Sequence, residues 1–210
     1  MSLPPPTLTC LFYGDATVTA FLQSPAGRAL AGDLLVECAL SQTLSYVLNL
    51  ETPQNYPGIA GVLGGVDVGT LAHPSEILPA PIILAAGTAG SPIAVRTALN
   101  HLRRPDERLK AVTLLVPIAD ARTLGAALAV ADRYAFAWNA AAFPHEELVD
   151  FARWLAAEGL LHRGNFSGLH PYATEPVEPA HAEKISAILS SAAARTPGFR
   201  TAIDVVASSA

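Results

Sequence analysis

Charge is the scarcest commodity in this sequence. Asp, Glu, Lys and Arg make up only 15% of its 210 residues while 51% are apolar, against roughly 25% charged in an average soluble domain. A surface this poor in charge is expected to be partly covered, and a homo-oligomer would cover it. The formal net charge is -5 and the basic residues form no cluster beyond Arg103-Arg104. The footprint of a nucleic-acid binder is therefore missing, and nucleic acid is not an expected partner. Cysteine is nearly missing too: Cys10 and Cys38 both fall inside apolar, strand-like runs, where a buried inert thiol is commoner than a disulfide or a metal ligand. No apolar stretch runs uninterrupted for the roughly 18 residues that span a bilayer. The Met1–Pro6 leader has neither a positive nor an apolar signal region, so a cytoplasmic chain with no membrane partner is expected.

The motifs of several chemistries are absent as well. No G-x-S-x-G elbow is present, and Ser91 and Ser167, which lie near glycines, have no histidine partner close in sequence. The six histidines show no H-x-x-x-H or H-E-x-x-H spacing. His162, His170 and Glu175 are the one grouping that folding could bring together, and no metal site is expected. Nothing names a cofactor.

What is present is an alternation of apolar strand-like runs and helical patterns. Leu8–Tyr13, Leu34–Cys38, Lys110–Ile118 and Tyr134–Trp138 read as strands. Lys110–Ile118 is apolar on both faces, as a parallel strand covered by helices should be. Ala16–Ala31 reads as a helix that breaks and restarts at Ser24-Pro25, since serine caps and proline fits a first helical position. The segment 41–48 reads as a short helix, although 34–48 as a whole also fits one helix, and further helices are expected over 120–132, from Pro144 to about Gly159, and over 180–194. A last strand is expected within 199–206. The stretch 55–69 carries five glycines among branched residues, which fits either a ligand-approaching loop or an irregular sheet edge. Residues 160–179, rich in Gly, Pro, Asn and Ser, read as a long loop. The fold class expected is α/β, a mostly parallel sheet with helices on both faces in three Rossmann-like layers. It is read as a single domain over residues 1–210 with an extended or disordered leader at 1–7.

One stretch holds a local site signature. Pro81 to Arg103 reads as a buried central strand, a glycine turn, and a helix that begins on Ser91-Pro92. Gly87 and Gly90 let backbone N–H groups approach a ligand, and the helix start favours an anion there. Thr88 and Ser91 complete the turn, and Arg96 lies one helical turn on. Neither the G-x-G-x-x-G spacing nor a P-loop lysine accompanies it.

Ligands in such sheets bind beyond the carboxyl ends of the strands. Residues placed there by the reading above are Gly14-Asp15, Glu37-Cys38, the Gly87–Ser91 turn, Asp120 and Trp138-Asn139. A carboxylate at a buried strand end is a candidate acid–base group, which makes Asp15 and Asp120 the catalytic candidates, with Glu37 and Asp67 behind them. Asn139 is a candidate hydrogen-bonding ligand residue. The function expected from these residues is an enzyme acting on a small phosphate- or carboxylate-bearing metabolite held on the Gly87–Ser91 turn. The alternative is a non-catalytic ligand-binding or oligomer-assembly domain.

Overall fold

A computed structural model of the chain describes residues 3–39, 44, 47–50, 56–84, 92–104, 107–142, 150, 165–193 and 203–205. Its first strand shows why the sequence folds into layers. Along Thr7–Tyr13 (β1) the residues Leu8, Cys10 and Phe12 enter one apolar cluster, while Leu11 and Tyr13 enter another. Side chains alternate across a strand, so a run apolar at every position needs cover on both faces. The same alternation governs Ala111–Pro117 (β4), where Val112, Leu114 and Val116 face one way and Leu115 the other.

Seven strands form one sheet in the order β3-β2-β4-β1-β5-β6-β7, with every strand pairing parallel. The remaining strands are Leu34–Glu37 (β2), Ile82–Ile83 (β3), Arg133–Asn139 (β5), Phe166–Ala173 (β6) and Asp204–Val205 (β7). Helices Val18–Gln23 (α1) and Pro25–Ala31 (α2) supply the cluster on the Leu11 face through Val18, Phe21, Leu22 and Ala31. Helices Ala60–Leu63 (α3), Val68–Leu71 (α4), Pro92–His101 (α5), Ala121–Val130 (α6) and Pro179–Ala193 (α7) cover the opposite face through Val62, Leu71, Leu99, Ala127 and Ile185. The expected three-layer α/β class is the fold observed.

The break between α1 and α2 falls where the sequence placed it. Ser24 is extended, its Oγ accepts the Gly27 N–H at 3.1 Å, and Pro25 opens α2. Gly27 is there because the two helices meet without room for a side chain: a Cβ would stand 2.0 Å from the Phe21 carbonyl oxygen. The elbow turns the chain sharply enough to bring it back along the sheet into β2.

Three expectations need correction. Ile82–Ile83 is not a central strand but the edge strand β3, paired with β2 on one side and bridged antiparallel to His73 on the other. The glycine-rich 55–69 stretch is not a sheet edge within its described part but carries the one-turn helices α3 and α4, the second capped by the Asp67 carboxylate on the Gly69 N–H. The long loop expected over 160–179 contains the eight-residue strand β6. Its glycine and proline concealed it. Gly168 holds φ +137, open in practice to glycine alone, beside the register shift against β5; Pro171 stands one residue before β7 begins to pair.

The order of strands fixes where a ligand crevice opens. From β1 the chain passes through α1 and α2 to β2 on one side, whereas from β5, adjacent to β1, it passes to β6 on the other side. That divergence between β1 and β5 is the topological switch point, where open α/β sheets bind ligands.

Candidate functional site

At the switch point the β1–α1 turn is Gly14-Asp15-Ala16-Thr17. Asp15 folds the turn onto itself: its Oδ1 accepts the Thr17 N–H at 2.8 Å and also the Thr17 hydroxyl. An aspartate bonding two residues along its own backbone is the ordinary Asx-turn geometry. Here it also presents the carboxylate to the neighbouring strand.

Asn139, the last residue of β5 and buried, reaches across from that strand. Its Nδ2 donates to Asp15 Oδ2 at 3.2 Å and to Thr17 Oγ1 at 2.9 Å. Its own Oδ1 accepts the N–H groups of Ala141 and Ala142 at 3.1 and 3.4 Å. The amide is thus fixed in orientation by the turn that follows β5.

Tyr172 of β6 completes the group, its hydroxyl 2.9 Å from Thr17 Oγ1 and its ring stacked obliquely on Phe21 at 5.2 Å. The direction of that bond follows from counting protons. A threonine hydroxyl has one donor and two acceptor positions; its proton goes to Asp15, so the Asn139 amide and the Tyr172 hydroxyl must both donate to it. Burial raises the Tyr172 phenol far above its ordinary value, the Asp15 charge adds to the rise, and the Thr17 bond offsets part of it. The phenol therefore keeps its proton. Two side chains of the β1–α1 turn and one each from β5 and β6 form one network, in which Thr17 and Asn139 bond the half-buried Asp15 carboxylate and Tyr172 bonds Thr17.

The other strand ends carry different arrangements. Asp120, beyond β4, caps α6: its carboxylate accepts the Thr123 N–H and the Thr123 hydroxyl. Glu37, the last residue of β2, is buried and its Oε1 accepts the Leu44 N–H at 2.8 Å. Tyr13 closes β1 with a buried hydroxyl that has no hydrogen-bond partner among the described residues. Burial raises this phenol most, and the charges of Glu37, Cys38 and Asp120 raise it further. Both cysteines are buried with thiols pushed up by burial first, by Cys38 at Cys10 and by Glu37 and Asp120 at Cys38, which removes them as thiolate nucleophiles at neutral pH. Trp138 lies in the apolar cluster rather than at the network. No group of three metal-ligating side chains occurs among the described residues.

The structure therefore brings Asp15 and Asn139 together and adds Thr17 and Tyr172, which the sequence reading missed. Thr17 had a signal, its place two residues after a turn aspartate. Tyr172 had none while its strand was read as loop. Arg96 lies on the exposed side of α5. Gly87, Thr88, Gly90 and Ser91 lie outside the described residues.

No protein-family model matches the chain, and no curated protein matches it in sequence. Its fold does match solved structures. A plasmid partition protein from Borrelia burgdorferi is 12% identical with a TM-score of 0.61, the match covering 97% of this chain and 90% of that one. The septum site-determining protein MinD from Pyrococcus horikoshii, complexed with Mg-ADP, is 13% identical with a TM-score of 0.60 over 94% and 80%. A cobyrinic acid a,c-diamide synthase from Mycobacterium smegmatis with bound ADP and magnesium is 15% identical with a TM-score of 0.59 over 88% and 82%. At these identities the likeness is one of fold.

These findings correct the expected enzyme acting on a small anionic metabolite at the Gly87–Ser91 turn. The likeness is to a partition protein, a septum-site protein and a nucleotide-holding synthase. The turn itself follows the edge strand β3, three places in the sheet away from β1, so the topological argument that favoured it now favours the Asp15 turn.

A P-loop cradles nucleotide phosphates with glycine-spaced backbone N–H groups and a lysine in the pattern G-x-x-x-x-G-K-[ST]. The corresponding turn here has an acid and no lysine. The chain's lysines are Lys110, just before β4 at the opposite end of the sheet, and Lys184 on α7. These residues do not fit a P-loop seat for ADP or ATP.

Proposed function

We propose that this chain is a positioning or partition protein, one that places a cellular cargo or assembly, and that the crevice beyond β1, β5 and β6 is its functional centre. The reading is supported by the fold it shares with a plasmid partition protein and a septum site-determining protein. The observation that carries the choice of centre is the Asp15–Thr17–Asn139–Tyr172 network, built from the β1–α1 turn, β5 and β6 at the switch point. Such a junction links the β1–α1 turn to the adjacent strand β5 and to β6 beyond it, so a change at any one member is felt at the others.

In this reading the chain works in the cytoplasm and associates with copies of itself. Its low charge suits that role. So do exposed apolar side chains such as Leu63, Val66, Ile77 and Ile93. No helix among the described residues is long and apolar enough to cross a membrane.

A fluorescent fusion of the full chain, expressed at native level in place of the endogenous copy, is expected to concentrate at defined positions such as poles, midcell or spaced foci. Thr17→Val and Asn139→Leu, each shown by circular dichroism to be folded, are expected to disperse it. Uniform fluorescence of the unaltered fusion would refute the proposal.

A further inference from the structure

The fold is shared with proteins that hold ADP and magnesium, yet the turn after β1 is chemically wrong for phosphate. The disagreement has a specific form. Among the described residues, three donors at this crevice, the Thr17 N–H, the Thr17 hydroxyl and the Asn139 amide, bond the Asp15 carboxylate, while the Tyr172 hydroxyl and a second Asn139 N–H bond Thr17 Oγ1. Asn139 is nine-tenths buried or more, as is the Tyr172 that holds Thr17 from behind. We infer that Asp15 is a resident anion: its carboxylate takes the place of a ligand's acidic group, so the crevice is satisfied from within and excludes phosphate-bearing ligands.

Three points support this reading. A buried amide and a hydroxyl at a strand end need an acceptor, and each unmade bond is unfavourable; Asp15 supplies one with two oxygens, and both are used. An incoming phosphate would meet this carboxylate at contact distance, and like charges so placed repel. No lysine is near to offset the repulsion, since Lys110 and Lys184 lie elsewhere in the fold. The consequence for the proposed positioning role, on which the inference rests, is that the protein holds its shape without nucleotide. Any switching comes from a partner that displaces the turn rather than from phosphate turnover.

The test is a titration, followed by calorimetry and thermal shift, with inorganic phosphate, ADP and ATP, each with and without magnesium. The unaltered chain is expected to show no saturable binding. Asp15→Gly frees the three donors and is expected to gain saturable binding of phosphate, tighter than any residual wild-type binding by roughly tenfold or more. Adding Asn139→Leu to that variant is expected to remove the gain. Asp15→Asn keeps the side-chain size without the charge and serves where the glycine variant loses its fold. Saturable binding of Mg-ADP or Mg-ATP by the unaltered chain overturns the inference whatever the variants do, and so does a folded Asp15→Gly chain that gains nothing. The two proposals fail separately: nucleotide binding by a chain that still localises breaks the resident-anion inference alone, and uniform fluorescence from a chain that binds no nucleotide breaks the positioning role alone.

Discussion

At the amino end of the sheet, aspartates receive backbone groups. Asp132 Oδ2 accepts the Leu8 N–H at 2.8 Å where β1 begins, and its Oδ1 pairs with Arg103 at 2.8 Å. Asp33 Oδ2 accepts the N–H groups of Lys110 and Ala111 at 2.7 and 2.9 Å, where β4 begins. At the carboxyl end, Asp15 receives one backbone N–H and otherwise side-chain donors from Thr17 and Asn139. Backbone N–H groups at a strand start have no other use, so the first arrangement is a staple. Side-chain donors from a second strand at a switch point are what a ligand would employ, which is the ground for proposing the second as a site occupied by the protein itself. The residue type is the same, and the two arrangements differ in that only Asp15 accepts a side-chain donor from a neighbouring strand.

The sharpest break in that comparison is Asp132→Ala. Leu8 is fully buried, and stranding its N–H is expected to cost about 2–3 kcal/mol, seen as a drop of about 5–10 °C in the thermal midpoint for a chain of this size. A drop under about 2 °C would remove the staple from the account. Asp33→Ala should follow at about 1–2 kcal/mol, because water can reach the N–H groups it releases. Neither change is expected to create phosphate binding, and such a gain in either would erase the distinction between the two ends.

At the carboxyl end the expected effects are smaller and coupled. Tyr172→Phe removes a hydroxyl that donates to Thr17 and should cost about 1 kcal/mol. Asn139→Ala should cost less in an Asp15→Ala background than alone, with a coupling of about 1 kcal/mol, because both touch one carboxylate. Chemical denaturation of the four chains in the cycle measures this. Additive losses would mean that Asp15 and Asn139 contribute independently.

Much of this architecture was legible, and the illegible parts share a cause. β4 could be read from its apolar run, and the α1–α2 break from Ser24-Pro25, because each depends on residues adjacent in sequence. Asp15 and Asn139 could be placed at strand ends for the same reason. Strand order could not be read, since pairing joins distant segments, and without it the glycine turn after Ile82–Ile83 passed for the central one. Tyr172 was lost with β6, whose Gly168 and Pro171 are turn residues by composition. They are tolerated here because a register shift and the late start of β7 accommodate them. A site assembled across three strands shows in sequence only as separate polar residues.

The smallest expected effect sharpens the amino-end side of the comparison. Asp67 pairs with Arg108 at 2.9 Å, shortly before β4, but both side chains are more than half exposed. The hydrogen bond from Arg108, then that from the Gly69 N–H, holds the Asp67 carboxyl below its ordinary value. A carboxyl depressed in the folded state stabilises above its unfolded pKa, and that contribution is lost as the pH falls through the folded value. Asp67→Asn should therefore lower the thermal midpoint slightly at neutral pH, with the difference from the unaltered chain shrinking as the pH falls below the ordinary carboxylate range. An exposed pair is screened by salt, so moderate salt should shrink the difference as well, while leaving the Asp132→Ala loss in place. If salt instead diminished both losses equally, Asp132 would be acting as a surface charge rather than as the acceptor of the buried Leu8 N–H.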